Sequence, residues 1–134
     1  MIEILPMTDR EQEKERLAQV PDATESTRVL AMTERGETLG WAAVDLTDGV
    51  LTIRKLAVEG YDASRKPQGE EVFILDSLMR SAASYGETFG ANQIETSFPD
   101  FFDFFRARGF DVDEIHAFTP MSTIVHYHFP GQRL

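Results

Sequence analysis

The sequence predicts an α+β fold, a mixed and mostly antiparallel twisted sheet of about six or seven strands flanked by helices. Three observations lead there. Arg35-Gly36 and Asp48-Gly49 are tight-turn pairs between apolar alternating runs, which makes a three-strand meander. The run "EEVFILDSLMRSAASYGETFGA" repeats apolar residues at intervals of three and four, the pattern of a helix pressed on a sheet. Helical and strand-like patterns then follow one another without repeat, linker or low-complexity segment, so one domain over residues 1–134 is expected.

Composition agrees with that class. The chain of 134 residues is long enough for one ordinary core. Its 42% hydrophobic content is too high for a disordered segment. It has no cysteine, which excludes disulfides, thiolate metal sites and a cysteine nucleophile. The opening "MIEILPMTDR" lacks the basic start and apolar run of a secretory signal. No apolar stretch reaches the roughly 20 residues that cross a bilayer, and a cytoplasmic protein is expected. The formal charge of −10, from 23 acidic and 13 basic residues, repels nucleic-acid phosphates and anionic lipid. Neither nucleic acid nor membrane is an expected partner. The acidity either attracts a cationic small molecule or basic partner, or simply keeps the protein soluble.

"MIEILPM" alternates Ile2 and Ile4 and ends at Pro6, a short first strand. Thr8 or Asp9 caps a charged surface helix with little apolar face beyond Leu17, Ala18 and Val20, stopped by Pro21. The meander "TRVLAMT", "TLGWAAVDL", "VLTIRKLAV" follows, and its last strand breaks alternation at Leu56-Ala57-Val58, the mark of a bulge or of burial on both faces. "EGYDASRKPQGEE" is the one long irregular segment. In the main helix, Leu75, Leu78, Met79, Ala82, Gly86 and Phe89 form the apolar stripe, Glu70 and Glu71 favour the helix start, and Gly90 the stop. Gly86 costs about 1 kcal/mol relative to alanine inside a helix, which close packing on the sheet would explain. "NQIETS" is a short strand.

The phenylalanine-rich stretch "FPDFFDFFRARGF" places Phe98, Phe101, Phe102 and Phe105 on one helical face, with Ser97 and Asp100 at capping-box spacing and Pro99 in the first turn. Gly109 provides a left-handed stop that sets Phe110 back onto Phe105. The cluster therefore reads as a buried face rather than a surface aromatic patch, since contiguous exposed apolar area is rare on soluble monomers. "DEIHAFTPMSTIVHYHF" closes the chain with two strand signals around a turn at residues 119–122.

This order of elements resembles the GNAT N-acetyltransferase fold over nearly the whole chain. The residues that carry the resemblance are "IRKLAV" (53–58), "QGEE" (68–71), "IETS" (94–97) and "FFRARGF" (104–110). In that family such a strand leads through a glycine-rich phosphate loop into the main helix, and a later helix ends in an aromatic-x-x-x-Gly-Phe pattern. The resemblance implies acetyl-CoA as co-substrate and a primary amine of a small molecule or peptide as acceptor, attacking directly with no covalent enzyme intermediate. It implies that backbone groups at Leu56, Ala57 and Val58 meet the thioester carbonyl oxygen as it becomes negative. Gln68, Gly69, Glu70 and Glu71 take the pyrophosphate position at the start of the main helix. Pantetheine is implied in the gap between the bulged strand and "NQIETS".

Two departures stand against the family pattern. Its loop reads Arg/Gln-x-x-Gly-x-Gly/Ala, whereas "RKPQGEE" matches well only at Gly69 and puts two carboxylates where phosphates arrive. Arg65 and Lys66 are the cations available to offset them. Phe105 stands where the family often has a tyrosine that protonates the leaving thiolate, and phenylalanine has no proton to give. An alternative function follows from both departures: a binding module of the same fold whose cofactor site has decayed.

Glu59 is the candidate base for the acceptor ammonium, the alternative being a solvated loop carboxylate. Tyr61, Tyr85 and Tyr127 are candidate replacements for the missing acid. Tyr127 is preferred because the family's last hairpin leads into the cleft, with a packed strand tyrosine as the alternative. His116, His126 and His128 could bring three imidazoles together across the last hairpin. Register is unset and alternating polar residues usually face solvent, so no metal is expected. Trp41 is assigned to structure, as a core residue or acceptor-side wall. The final hairpin is free to pair with a second chain as a homodimer.

Overall fold

The computed structural model describes residues 1–62 and 64–125. In chain order the elements are β1 (Ile2–Pro6), α1 (Arg10–Leu17), β2 (Arg28–Glu34), β3 (Glu37–Thr47), β4 (Val50–Val58), α2 (Glu70–Thr88), β5 (Gln93–Thr96), α3 (Phe102–Ala107), β6 (Asp111–Val112) and β7 (Ala117–Pro120). The seven strands form one sheet in the order β1-β2-β3-β4-β5-β7-β6. Every pairing is antiparallel except β4 with β5, whose parallel alignment follows from the α2 crossover.

Both predicted hairpins form. Arg35 and Gly36 lie at φ 53° and 82°, and Asp48 and Gly49 at 52° and 80°, the double left-handed geometry whose twist matches the flanking strands. β3 becomes a buried central strand over residues 40–45.

Helix α2 covers one face of the sheet. Ile74, Leu75, Leu78, Met79, Ala82, Ala83 and Gly86 are buried against Leu51, Ile53, Leu56 and Val58 of β4. A Cβ on Gly86 would stand 2.8 Å from Leu51 Cβ, which accounts for the glycine in mid-helix. Phe89 departs from the predicted stripe: it falls just past the helix end, before Gly90 at φ 93°, and is 64% exposed.

The opposite face carries α1 over Trp41, Val29, Ala43 and Val20. The Asp9 carboxylate accepts the N–H groups of Glu11 and Gln12 at 3.0 and 3.1 Å, resolving the choice of cap. With little apolar surface, α1 is seated by Glu13, which sequence reading left on the surface. Its carboxylate is buried, accepts the Val29 N–H at 3.0 Å and faces Arg10 and Arg28.

The phenylalanine stretch is interior, with a changed register. A 3₁₀ turn (Pro99–Phe101) precedes α3, and no side chain caps that helix. Phe101, Phe104 and Phe105 are buried, whereas Phe98 and Phe102 are only partly so. The tighter 3₁₀ turn rotates the following residues and brings Phe104 inward in place of Phe102. Gly109 takes the left-handed stop, and the Phe110 ring returns to 4.9 Å from that of Phe105.

The bulge in β4 lies earlier than its sequence suggested. Ala43 faces Lys55 while Val44 faces Ile53, so Arg54 is the inserted residue. The insertion resets the alternation, and Leu51, Ile53, Leu56 and Val58 all point to the α2 face, with Ala57 turned toward Trp41. Arg54 donates to Asp45, whose buried carboxylate also accepts from Ser26 and Thr27 hydroxyls at 2.8 and 2.9 Å. Of the predicted last hairpin, β7 is present and a 3₁₀ turn (Met121–Thr123) follows it.

Candidate active site

Strands β4 and β5 pair only between residues 50–53 and 93–96. Thr96 ends the ladder: its hydroxyl donates to the Ile53 carbonyl at 2.7 Å and accepts the Phe98 N–H at 3.0 Å. Beyond that rung β4 runs on for residues 54–58 with β3 as its one strand neighbour among the described residues. The sheet opens there into a gap.

Backbone direction follows from the register. Glu59 donates its N–H to the Leu39 carbonyl of β3 at 3.0 Å. Main-chain groups alternate sides along a strand, so those of Ala57 also face β3, and the N–H groups of Leu56 and Val58 face the gap. Gly40, opposite Val58, is needed for this close pairing: a Cβ there would lie 2.6 Å from the Ala57 carbonyl oxygen.

A cleft of about 300 Å³ fills the gap, lined by Leu56, Ala57, Val58 and Glu59 together with Trp41, Phe98 and Phe101. Tyr61 stands at its edge, its N–H bonded to the Val58 carbonyl at 3.1 Å and its ring stacked 6.2 Å from that of Phe101. Burial pushes the Tyr61 phenol up, the Glu71 carboxylate adds to this, and Arg65 opposes it. The hydroxyl donates to the Arg65 carbonyl. A second recess of about 740 Å³ shares Asp100 and Phe101 with the first and is lined by Arg65, Lys66, Pro67, Phe102, Phe104 and Arg108. The Arg108 guanidinium lies 3.8 Å above the Phe104 ring and donates to Asp76 of α2 at 2.8 Å, joining α3 to the main helix.

Gln68, Gly69, Glu70 and Glu71 form the turn into α2, with Gly69 at φ 53°. The N–H groups of Gly69, Glu70 and Val72 have no acceptor among the described residues, as expected of a helix start. Glu71 instead folds back over this turn. It accepts the Gln68 N–H at 3.0 Å and both arms of the Arg65 guanidinium. Hydrogen bonds from Arg65, then from Gln68, hold the Glu71 carboxyl below its usual range. One of the two carboxylates at the loop is thus neutralised by Arg65 from within the chain.

The remaining candidates separate. Phe105 is fully buried between Phe104 and Phe110, inside the core. Tyr85 packs on Phe89 and lines a different recess with Ile4 and Pro6. His116 stacks on Phe118 and faces Asp113 at 2.9 Å. Tyr127, His126 and His128 lie outside the described residues.

Sequence reading missed several residues of the cleft: Arg16 of α1, Gln19 just past its end, Lys55 of β4, and the carboxylates Asp62 and Asp100. Arg16 carried one usable signal, its place one turn beyond the seated Glu13 on α1.

A mixed seven-stranded sheet whose one parallel pair splays beside the start of the main helix defines the GNAT acyl-CoA N-acyltransferase fold, and this chain has it. Three solved structures with that fold are similar to it. An IAA acetyltransferase from Bacillus cereus aligns at TM-score 0.68 and 13% identity, over 90% of this chain and 99% of its own. A GNAT family acetyltransferase from Elizabethkingia anophelis with acetyl-CoA bound aligns at 0.64 and 14%, over 89% and 97%. The aminoglycoside 6'-N-acetyltransferase from Enterococcus faecium aligns at 0.64 and 10%, over 90% and 97%. No family model and no curated protein matches the sequence.

Proposed function

We propose that the protein is an N-acetyltransferase moving an acetyl group from acetyl-CoA to a primary amine. The observation that carries this reading is the gap beside β4, where the Leu56 and Val58 N–H groups face a cleft with no strand partner on that side among the described residues. Acyl transfer places negative charge on the carbonyl oxygen, and preorganised amide donors are what that charge requires. Acetyl-CoA supplies the activated acyl group. Leu56 and Val58 would receive its thioester end, and the free N–H groups of Gly69, Glu70 and Val72 its pyrophosphate. The fit at the strand is direct. At the loop it requires the Arg65–Glu71 pair to open, so that Arg65 turns to phosphate.

Glu59, at the cleft rim, is the candidate base that takes the ammonium proton, directly or through water. Within the described residues Tyr61 is the tyrosine that lines the cleft, and its phenol, protonated at neutral pH, becomes the donor to the departing thiolate once it leaves the Arg65 carbonyl. Tyr127 stays a second candidate on sequence grounds. Homodimer formation through the last hairpin is likewise part of this proposal.

The second reading is a binding module, favoured by the Arg65–Glu71 closure over the helix start. Titration with acetyl-CoA separates the two. The transferase reading expects the melting temperature to rise through ligand linkage and coenzyme A to be released in the presence of an amine panel. A folded sample that shows neither at millimolar acetyl-CoA would leave the binding-module reading.

A further inference from the structure

We propose that the acceptor is a small amino carboxylate, its carboxylate held by Arg16 and Lys55 and its ammonium group by the acidic residues of the same cleft. This rests on the transferase reading for its chemistry but on separate residues for its recognition.

The chain carries a large acidic surplus, and its cations are mostly spoken for. Arg10, Arg28, Arg54, Arg65, Arg80, Arg106 and Arg108 all reach carboxylates. Among the described residues Lys14, Arg16, Arg35, Lys55 and Lys66 reach none, and of these Arg16 and Lys55 line the cleft. The Arg16 guanidinium lies 5.8 Å from the Trp41 ring centroid, and its Nε is buried without a hydrogen-bond partner among the described residues. A buried N–H of a charged group left unpaired is costly, and a bound carboxylate removes that cost. Lys55 reaches in from β4, its ammonium 5.3 Å from the Phe98 ring centroid.

Glu59, Asp62 and Asp100 line the same cleft, so it presents both signs of charge. A plain polyamine would meet Arg16 and Lys55, and a dianion would meet three carboxylates. A zwitterion with amine and carboxylate on one small body satisfies both. The cleft volume of about 300 Å³ is at the small end for ligand sites and limits the acceptor beside the thioester end to a small, amino-acid-sized molecule. The protein's overall negative charge does not veto the anion, since exposed charges beyond about 8–10 Å are screened in physiological salt. In the reaction, Glu59 takes a proton from the ammonium group and the freed amine forms a bond to the acetyl carbon. The carbon–sulfur bond breaks, the Tyr61 hydroxyl protonates the departing thiolate, and the second proton of the attacking nitrogen restores the phenol as that nitrogen becomes the amide, while the proton on Glu59 passes to solvent. The products are the N-acetyl amino carboxylate and the free thiol.

The test pairs each L-α-amino acid, with β-alanine and γ-aminobutyrate added, against its own primary amide. The amide's amine is less basic and more readily deprotonated, so any preference for the acid form comes from the protein. We expect at least one acid to exceed its amide about tenfold or more in kcat/KM with acetyl-CoA. Arg16→Gln should raise the KM of that acid about ten- to a hundredfold, as loss of a charged hydrogen bond does, and bring the acid-to-amide ratio toward one. Arg16→Lys should recover part of the ratio, and Lys55→Met should lower it without touching α1. The same acid should raise the melting temperature of the free wild-type protein and not that of Arg16→Gln. Turnover restricted to amides or uncharged amines would overturn this inference and leave the transferase reading in place. An Arg16-dependent thermal shift with no acetyl-CoA binding or turnover would do the reverse. If no acid is preferred and none shifts the melt, the inference falls.

Discussion

The two halves of β4 use one backbone in opposite ways. Residues 50–53 are laddered to β3 on one side and β5 on the other, whereas residues 55–58 are laddered to β3 alone among the described residues. The polar side chains follow the same division. Beside the closed half, Asp45 accepts from Arg54, Ser26 and Thr27; beside the open half, Arg16 and Lys55 have no carboxylate partner among the described residues. Satisfied groups hold a structure together, and unsatisfied ones next to a cleft are what a ligand can complete. The bulge at Arg54 marks the boundary, ending the closed half and re-aiming the open one.

Substitutions at four positions break or sharpen this contrast. The largest effect is expected from Asp45→Ala, which strands Arg54 and should cost about 3 kcal/mol in denaturant unfolding, the low end for a buried pair because Arg54 keeps some solvent contact. Burial pushes the Asp45 carboxyl up, but hydrogen bonds from Arg54, Ser26 and Thr27 with the Arg54 charge together take it below its usual value. Its folded pKa is thus below the unfolded one, so this stability is fully present above about pH 4 and is lost as pH falls through the folded value. The difference between wild type and Asp45→Asn should therefore shrink in acid. Tyr61→Phe keeps the ring on Phe101 and removes the proton. Under the transferase reading kcat should fall about a hundredfold in steady-state kinetics with little change in acetyl-CoA binding. Gly40→Val drives a side chain into the Ala57 carbonyl and Ile74, and should destabilise by about 2 kcal/mol in thermal or urea melts. Glu71→Gln keeps an acceptor for the Gln68 N–H and frees the Arg65 charge. Coenzyme A should bind about tenfold more tightly by calorimetry, a change of about 1.4 kcal/mol.

Much of the closed architecture was legible in the sequence, because its signals are local. Arg35-Gly36 and Asp48-Gly49 force their own turn geometry, and the α2 stripe declares its face through spacing alone. The site was less legible. Leu56-Ala57-Val58 reads as a break in alternation, yet the break comes from Arg54, whose insertion shows only against its partner strand. Phe104 and Phe102 exchange roles because a 3₁₀ turn shifts phase by a fraction of a residue, which spacing arguments built on a regular helix miss. Arg65 and Glu71 were both singled out as charges at the loop. Their pairing depends on a fold-back between residues six apart, beyond any helical or strand period. Arg16 was hard to place because α1 has almost no apolar stripe to orient it, and its spacing from Glu13 points to the cleft only once Glu13 is known to be buried.

That weak stripe has an evolutionary consequence. Helix α1 sits on the sheet chiefly through the Glu13 carboxylate gripping the Val29 amide, and Arg16 rides on it one turn later. Replacing Glu13, or the Arg28 beside it, would swing that lever and move the guanidinium without replacing any residue of β4 or β5. Diversification of the molecules accepted can therefore proceed from the back of the sheet, while the chemistry at the front stays as it is.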